Sequence, residues 1–191
     1  MSFVVSRRAA LRLAAAAVAA GLAPRASRAQ LFSFPNWYTL ANAASDNKPG
    51  AVAYILRRGD NPNFLDPGGR TPLDYAAEHG NTEIIRMLLD AGARVDYRDK
   101  FGATPLHWAA ERGHVDAIKM LIAAKAPVDA VNQQGITPLM LAASTDKAEA
   151  VRALLKAGAD PKKQDYTGRD ALGWAADRPN ARRVLEDATK G

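Results

Sequence analysis

A period of 33 residues constrains this chain more than any other feature. Leu40, Leu73, Leu106, Leu139 and Leu172 are each 33 residues apart, and so are Ala43, Ala76, Ala109, Ala142 and Ala175. The alanines that follow (Ala44, Ala77, Ala110, Ala143, Ala176) keep the same phase, as do Gly69, Gly102, Gly135 and Gly168. No insertion interrupts the register from Tyr38 to Ala176. Alanine richness alone imposes no phase, so the chain is an array of similar units. One unit of this length cannot bury its apolar face by itself. Neighbours must stack, and the core runs continuously along the array.

Each unit reads as helix, turn, helix. Thr71-Pro72, Thr104-Pro105 and Thr137-Pro138 set a capping hydroxyl before a proline at the first helical position, where the missing N–H costs nothing. Gly80 and Gly113 suit the left-handed residue that ends this helix. A second helix follows with apolar residues at i, i+3 and i+4: Ile85, Leu88, Leu89, then Ile118, Leu121, Ile122, then Val151, Leu154, Leu155. Gly92 and Gly158 end it, and a turn such as Asp99-Lys100-Phe101-Gly102 leads to the next unit. Lys125 stands in the register of Gly92 and Gly158, and Asp146 in that of Gly80 and Gly113. A side chain on a left-handed residue costs about 1 kcal/mol or more, which makes residues 123–147 the expected weak point of the array.

This unit resembles the ankyrin repeat, whose mark is T-P-L-H-x-A. Here it reads Thr71-Pro72-Leu73-Asp74, Thr104-Pro105-Leu106-His107 and Thr137-Pro138-Leu139-Met140, with degenerate versions at Tyr38-Thr39-Leu40-Ala41 and Asp170-Ala171-Leu172-Gly173. The resemblance implies an all-α solenoid of five helix-turn-helix units joined by short hairpin-like turns. It covers residues 37–188, divided as 37–69, 70–102, 103–135, 136–168 and 169–188. Degenerate end units are expected where outer faces meet solvent. In the last unit Arg182-Arg183-Val184-Leu185 arrives two or three residues early, which reads as a C-terminal cap. Residues 30–36 form an N-terminal extension, and Leu31, Phe32 and Phe34, with Trp37, are expected to pack over the first unit.

Residues 1–29 read as an export signal. Arg7 and Arg8 precede an uncharged run from Leu13 to Ala23, too short for a bilayer span of about 20 residues. Ser27 and Ala29 are the small residues before a cleavage between Ala29 and Gln30. Ser6-Arg7-Arg8-Ala9-Ala10-Leu11-Arg12 resembles the twin-arginine signal, with Ala10 in place of the usual phenylalanine. That resemblance implies a bacterial protein folded before transport and located in the periplasm. A general secretory signal is the alternative.

Little in the chain points to chemistry. There is no cysteine, which excludes disulfides, thiolate nucleophiles and thiolate-held metals. The net charge of +6 comes mostly from five arginines in residues 1–29. From Gln30 onward 21 basic residues meet 20 acidic ones, so the array shows no electrostatic footprint for nucleic acid. His107 occupies the signature position, where the resemblance implies hydrogen bonds at a helix end. His79 and His114 have no metal-ligand spacing. Asp66, Asp99, Asn132 and Asp165 recur once per unit at a turn, where such side chains cap their own backbone. No glycine-rich phosphate loop or nucleophile elbow occurs. No enzyme activity and no cofactor are expected. Trp108 and Trp174 share a register with Tyr75 and Leu141, and serve either packing or an aromatic ligand shelf.

The function expected is therefore binding of another protein, by a monomer with no stable membrane span once the signal is removed. An escort role for an exported, cofactor-bearing enzyme is a special case. In the resembling family partners meet turn tips and the exposed ends of first helices. Carried over, this names Arg70, Glu78 and His79, then Tyr97, Lys100, Phe101, Glu111 and Arg112. It also names Gln133, Gln134 and Ile136, then Tyr166, Arg169 and Arg178. Phe101, Ile136 and Tyr166 either form an apolar binding row on successive tips or fold back on neighbouring turns.

Overall fold

The structure, a computed structural model, describes residues 38–190. The expected signal and its cleavage site, the extension 30–36 and Trp37 lie outside the described residues.

Two rows of helices alternate along the chain. The first-helix row is α1 (Leu40–Ser45), α3 (Pro72–His79), α5 (Pro105–Arg112), α7 (Pro138–Ser144) and α9 (Ala171–Trp174). The second-helix row is α2 (Pro49–Arg57), α4 (Thr82–Asp90), α6 (Val115–Ala123), α8 (Ala148–Lys156) and α10 (Pro179–Lys190). Each helix packs against its partner within the unit and against the same helix of the next unit. This is the all-α solenoid the register predicts. Each paired alanine from Ala43-Ala44 to Ala142-Ala143 is fully buried, because a larger side chain there would force the two rows apart.

First helices begin with reciprocal caps. Thr71 Oγ1 accepts from the Asp74 amide, while the Asp74 carboxylate accepts from the Thr71 amide and hydroxyl, both at 2.7 Å. His107 Nδ1 takes the same role toward Thr104 at 3.0 Å, and Asn42 toward Thr39. His107 Nε2 then donates to the Ile136 carbonyl of the next unit at 3.1 Å, the helix-end bonding implied for this position. In the last unit Gly173 holds the register of Asp74 and His107, so only Asp170 remains to cap, and the helix stops after four residues. Its partner α10 starts at Pro179, two residues ahead of the register of α4, α6 and α8.

In the second helices the buried face is shifted from the expected one. Ile84, Ile85 and Leu88 are buried in α4, Ala117, Ile118 and Leu121 in α6, and Ala150, Val151 and Leu154 in α8. Leu89, Ile122 and Leu155 are only half-buried. Leu155 lines an open groove between α8 and α10, so this flank meets the neighbouring helix incompletely.

Gly80 (φ +67°) and Gly113 (φ +77°) are left-handed, and Lys125 (φ +69°) and Asp146 (φ +56°) adopt that conformation despite their side chains. Asn47 (φ +53°) does so as well, a departure from glycine that the register also contains. Asp146 recovers part of the strain, because its carboxylate accepts from the Ala181 amide and the Asn180 side chain, each at 2.8 Å.

Candidate functional site

The turns form a second regular feature. In each of four, one backbone rung closes a hairpin: Asp66 N to Arg70 O, Asp99 N to Ala103 O, Asn132 N to Ile136 O and Asp165 N to Arg169 O. The Asp or Asn side chain fills the turn from within. Asp99 Oδ1 accepts from the Phe101 and Ala103 amides, Asn132 Oδ1 from Gln134 and Ile136, and Asp165 Oδ1 from Thr167 and Arg169. Asp66 does the same for the Arg70 amide at 2.9 Å, so all four side chains are committed to their own backbone. Asp165 is held well below the usual carboxylate range by the Thr167 hydroxyl first, then by the Arg169 and Thr167 amides and the Trp174 indole. At Asp66 burial opposes ionisation, yet hydrogen bonds from the Tyr75 hydroxyl and the Arg70 and Gly68 amides outweigh it and hold the carboxyl low.

Successive tips are also joined to each other. The Gln133 amide donates to the Phe101 carbonyl at 2.9 Å, and the Tyr166 amide to the Gln134 carbonyl at 3.1 Å. Gln133 Nε2 adds a bond to the Lys100 carbonyl at 2.8 Å. Lys100 is exposed, with its ammonium 5.1 Å from the Phe101 ring centroid. Three large apolar side chains stand out of the described surface: Phe64 at 62% exposure, Phe101 at 51% and Tyr166 at 74%. Phe101 and Tyr166 are on the turn tips, and Phe64 lies two residues before the first hairpin. Ile136 is half-buried at the base of its hairpin, in the rung opposite Asn132, so Phe101 and Tyr166 are separated by the polar tip Gln133-Gln134. Phe64 was not legible as a surface residue, because its register partners Tyr97, Ala130 and Lys163 share no chemistry. Tyr97 itself is half-buried, 5.9 Å from Arg94 Cζ.

Beside the tips lies a stack of planar groups. The Arg70 guanidinium is sandwiched between Tyr75, 4.1 Å from its Cζ, and Trp108 of the next unit at 4.0 Å. Its edge donates to Glu78 at 2.7 Å, and Glu78 also receives Arg112 at 2.6 Å. Burial works against the Glu78 charge, but the bonds from Arg112 and Arg70 outweigh it and hold the carboxyl below its ordinary value. The Tyr75 hydroxyl, bonded to Asp66 at 2.6 Å, is pushed up to about 12 by burial and by that bond. In the fifth unit Arg169 lies 4.2 Å over Trp174. The rings of this register thus pack within the array, against Arg70 and Arg169.

At the other end of the first helices, side chains of each unit cover the carbonyls of the previous one. His79 Nε2 bonds to Ser45 O, His114 Nε2 to Glu78 O, Thr145 Oγ1 to Glu111 O and Arg178 Nε to Ser144 O. These carbonyls have no partner within their own helix end, so the bonds satisfy groups that would otherwise need water. Arg70, Glu78 and Arg112 therefore come together in one network. His79, Glu111 and Arg178 join the carbonyl ladder, and Lys100, Phe101, Gln133, Gln134, Tyr166 and Arg169 present the tips. Among the described residues no three His, Asp or Glu side chains gather as metal ligands, and no helix is long and apolar enough to cross a membrane.

Comparison with known proteins agrees with this architecture. A family model described as ankyrin repeats (3 copies) matches residues 40–132 and 124–188, well over half of the chain. An ankyrin repeat protein of fowlpox virus (strain NVSL) is 42% identical over 63 residues, which is 33% of this chain and 45% of the viral one. The chain thus spans under half the length of that curated relative. Arrays of this kind are protein–protein interaction modules and typically not enzymes, and on the strength of the repeat match the chain belongs to the ankyrin-repeat family.

Proposed function

We propose that this chain is an exported, periplasmic protein-binding module that holds a partner protein on its turn tips and on the adjoining ends of its first helices. The observation that carries the reading is the placement of the exposed large apolar side chains. Phe101 and Tyr166 are on the turn tips and Phe64 lies just before the first hairpin, and solvent-facing aromatics at such positions favour an interface. Export rests on the twin-arginine-like residues Ser6 to Arg12 and the small residues before Gln30. The module works as a monomer, without a cofactor and without nucleic acid. Its partner is a protein of the same compartment.

Phe101→Ala combined with Tyr166→Ala tests the surface. Partner capture from periplasmic extract should fall by about tenfold or more, the loss expected of two interface anchors, while helicity and melting temperature stay nearly unchanged. A large drop in melting temperature would show that the two rings are structural. Arg7→Lys with Arg8→Lys should leave the chain uncleaved in the cytoplasm, and normal cleavage after Ala29 would point to general secretion instead.

The second reading, an escort for an exported cofactor-bearing enzyme, is favoured by the folded transport that a twin-arginine signal serves. It requires that the captured enzyme leave the cytoplasm only when this chain carries its signal. Export of the enzyme without that signal would remove the escort role.

A further inference from the structure

Each inner turn acts as a receptor for the unit after it. Three kinds of group do this. A tip carbonyl accepts an amide: Phe101 O from Gln133 N at 2.9 Å, and Gln134 O from Tyr166 N at 3.1 Å. A glycine makes room, since a Cβ on Gly102 would stand 3.0 Å from Gln133 N and one on Gly135 2.8 Å from Tyr166 N. Gly69 does the same for Lys100, whose amide nitrogen is 3.3 Å from that position. An arginine gives its outer face to a ring, as Arg70 does to Trp108 at 4.0 Å.

The last turn and the start of the fifth unit carry the same three groups, and among the described residues none is covered by a following unit. Thr167 stands in the register of Phe101 and Gln134, Gly168-Arg169 in that of Gly69-Arg70, and Trp174 in that of Tyr75. Thr167 O accepts no hydrogen bond among the described residues. Gly168 keeps a left-handed φ of +83°, yet a Cβ there would meet no described residue within 4 Å. Arg169 has Trp174 beneath it at 4.2 Å, and its side chain remains 53% exposed. The arginine is nonetheless held in place, by Asp165 at 3.3 Å and by Thr167 Oγ1 at 3.1 Å. Tyr166 beside it is the most exposed large apolar side chain described.

We propose that this edge, formed by Thr167, Gly168 and Arg169 with Tyr166 and Trp174, docks a turn-and-helix segment of the partner protein like residues 97–112 of this chain. The segment gives a backbone N–H to the Thr167 carbonyl and lays an aromatic side chain on the outer face of Arg169. An aromatic ring fits better than an acid. Asp165 already neutralises the guanidinium and occupies its edge, so an incoming carboxylate gains little, whereas the flat, weakly hydrated face remains free to stack. The second unit supplies the precedent, because Arg70 accepts a second ring, Trp108 of the third unit. The inference rests on the reading of the array as a protein-binding module and names where and how one partner segment is held.

The probe is a synthetic peptide with the sequence of residues 97–112, the segment that covers Gly69 and Arg70 inside the array. It is titrated into the full chain while backbone amide shifts are followed. Shifts should concentrate at residues 165–175. Arg169→Lys, which keeps the charge and loses the plane, should weaken binding about fivefold, the size of one stacked cation. A peptide carrying alanine at the place of Trp108 should weaken by a similar factor, and Arg86→Ala, on the exposed face of α4, should change nothing. No binding at millimolar peptide, or equal binding by Arg169→Lys, overturns the proposal. Shifts at the same residues from rising protein concentration alone, with doubling of the mass, would make a second copy the occupant and also overturn it. A partner captured by the array but insensitive to Arg169→Lys would overturn this edge while leaving the binding-module reading intact.

Discussion

Asp74 offers the sharpest test of the energetics. It takes the place that His107 holds one unit later, fully buried, with Oδ2 accepting from the Thr71 amide and hydroxyl. Its other oxygen, Oδ1, is buried without a partner. Burial pushes the carboxyl up to about 7 from an ordinary 3.8, against the Thr71 hydrogen bonds and the Arg70 charge, and Asp99 pushes it further up. A carboxyl raised on folding binds its proton more tightly when folded. Its stabilising contribution is complete below pH 3.8 and is lost as pH climbs to about 7. At about 1.4 kcal/mol per unit, the loss is about 4 kcal/mol at most. His107 has the opposite sign. Burial lowers it from 6.5 to about 4, so stability is lost as pH falls through that window. The two slopes nearly cancel between pH 4 and 6.5, and the parent protein alone would hide both. Asp74→Asn separates them. Asn keeps an oxygen for Thr71 and removes the charge. Urea unfolding of both proteins from pH 4 to pH 8 should give equal stability at pH 4. At pH 8 the variant should be more stable by about 2–4 kcal/mol, the difference growing through the window between. A difference that does not vary with pH, or a variant less stable at pH 8, would refute the reasoning.

Three further outcomes follow from backbone geometry. Gly80→Ala places a Cβ 2.5 Å from the His114 ring at φ +67°, whereas Gly92→Ala meets open space at φ +86°. Thermal unfolding should show the first losing more than about 2 kcal/mol and the second only the left-handed penalty of about 1 kcal/mol. Lys125→Gly relieves a positive φ and should raise stability by about 0.5–1 kcal/mol, with hydrogen exchange slowing around residues 123–147. Asp146→Gly relieves the same strain but deletes the bonds to Ala181 and Asn180, so it should instead lose about 1 kcal/mol.

The period by itself determined the architecture. Thr-Pro starts, glycine stops and apolar spacing are local properties, and local rules place helices. The turn residues Asp99, Asn132 and Asp165 were legible for the same reason, since an Asx side chain bonds within a few residues of itself. Tertiary structure decided what depends on the neighbour 33 residues away. It selected Ile84, Ile85 and Leu88 over Leu89 as the buried set, because which flank is covered depends on the next helix. It placed Ile136 in a hairpin rung and left Phe64 in solvent, though periodicity distinguishes neither. The Tyr75–Arg70–Trp108 stack exists only when two units meet. So does its open counterpart at Arg169, where the same residue types stand with a face unfilled. Repetition fixes what every unit shares. Stacking decides which of those shared groups are spent on the next unit and which remain for a partner.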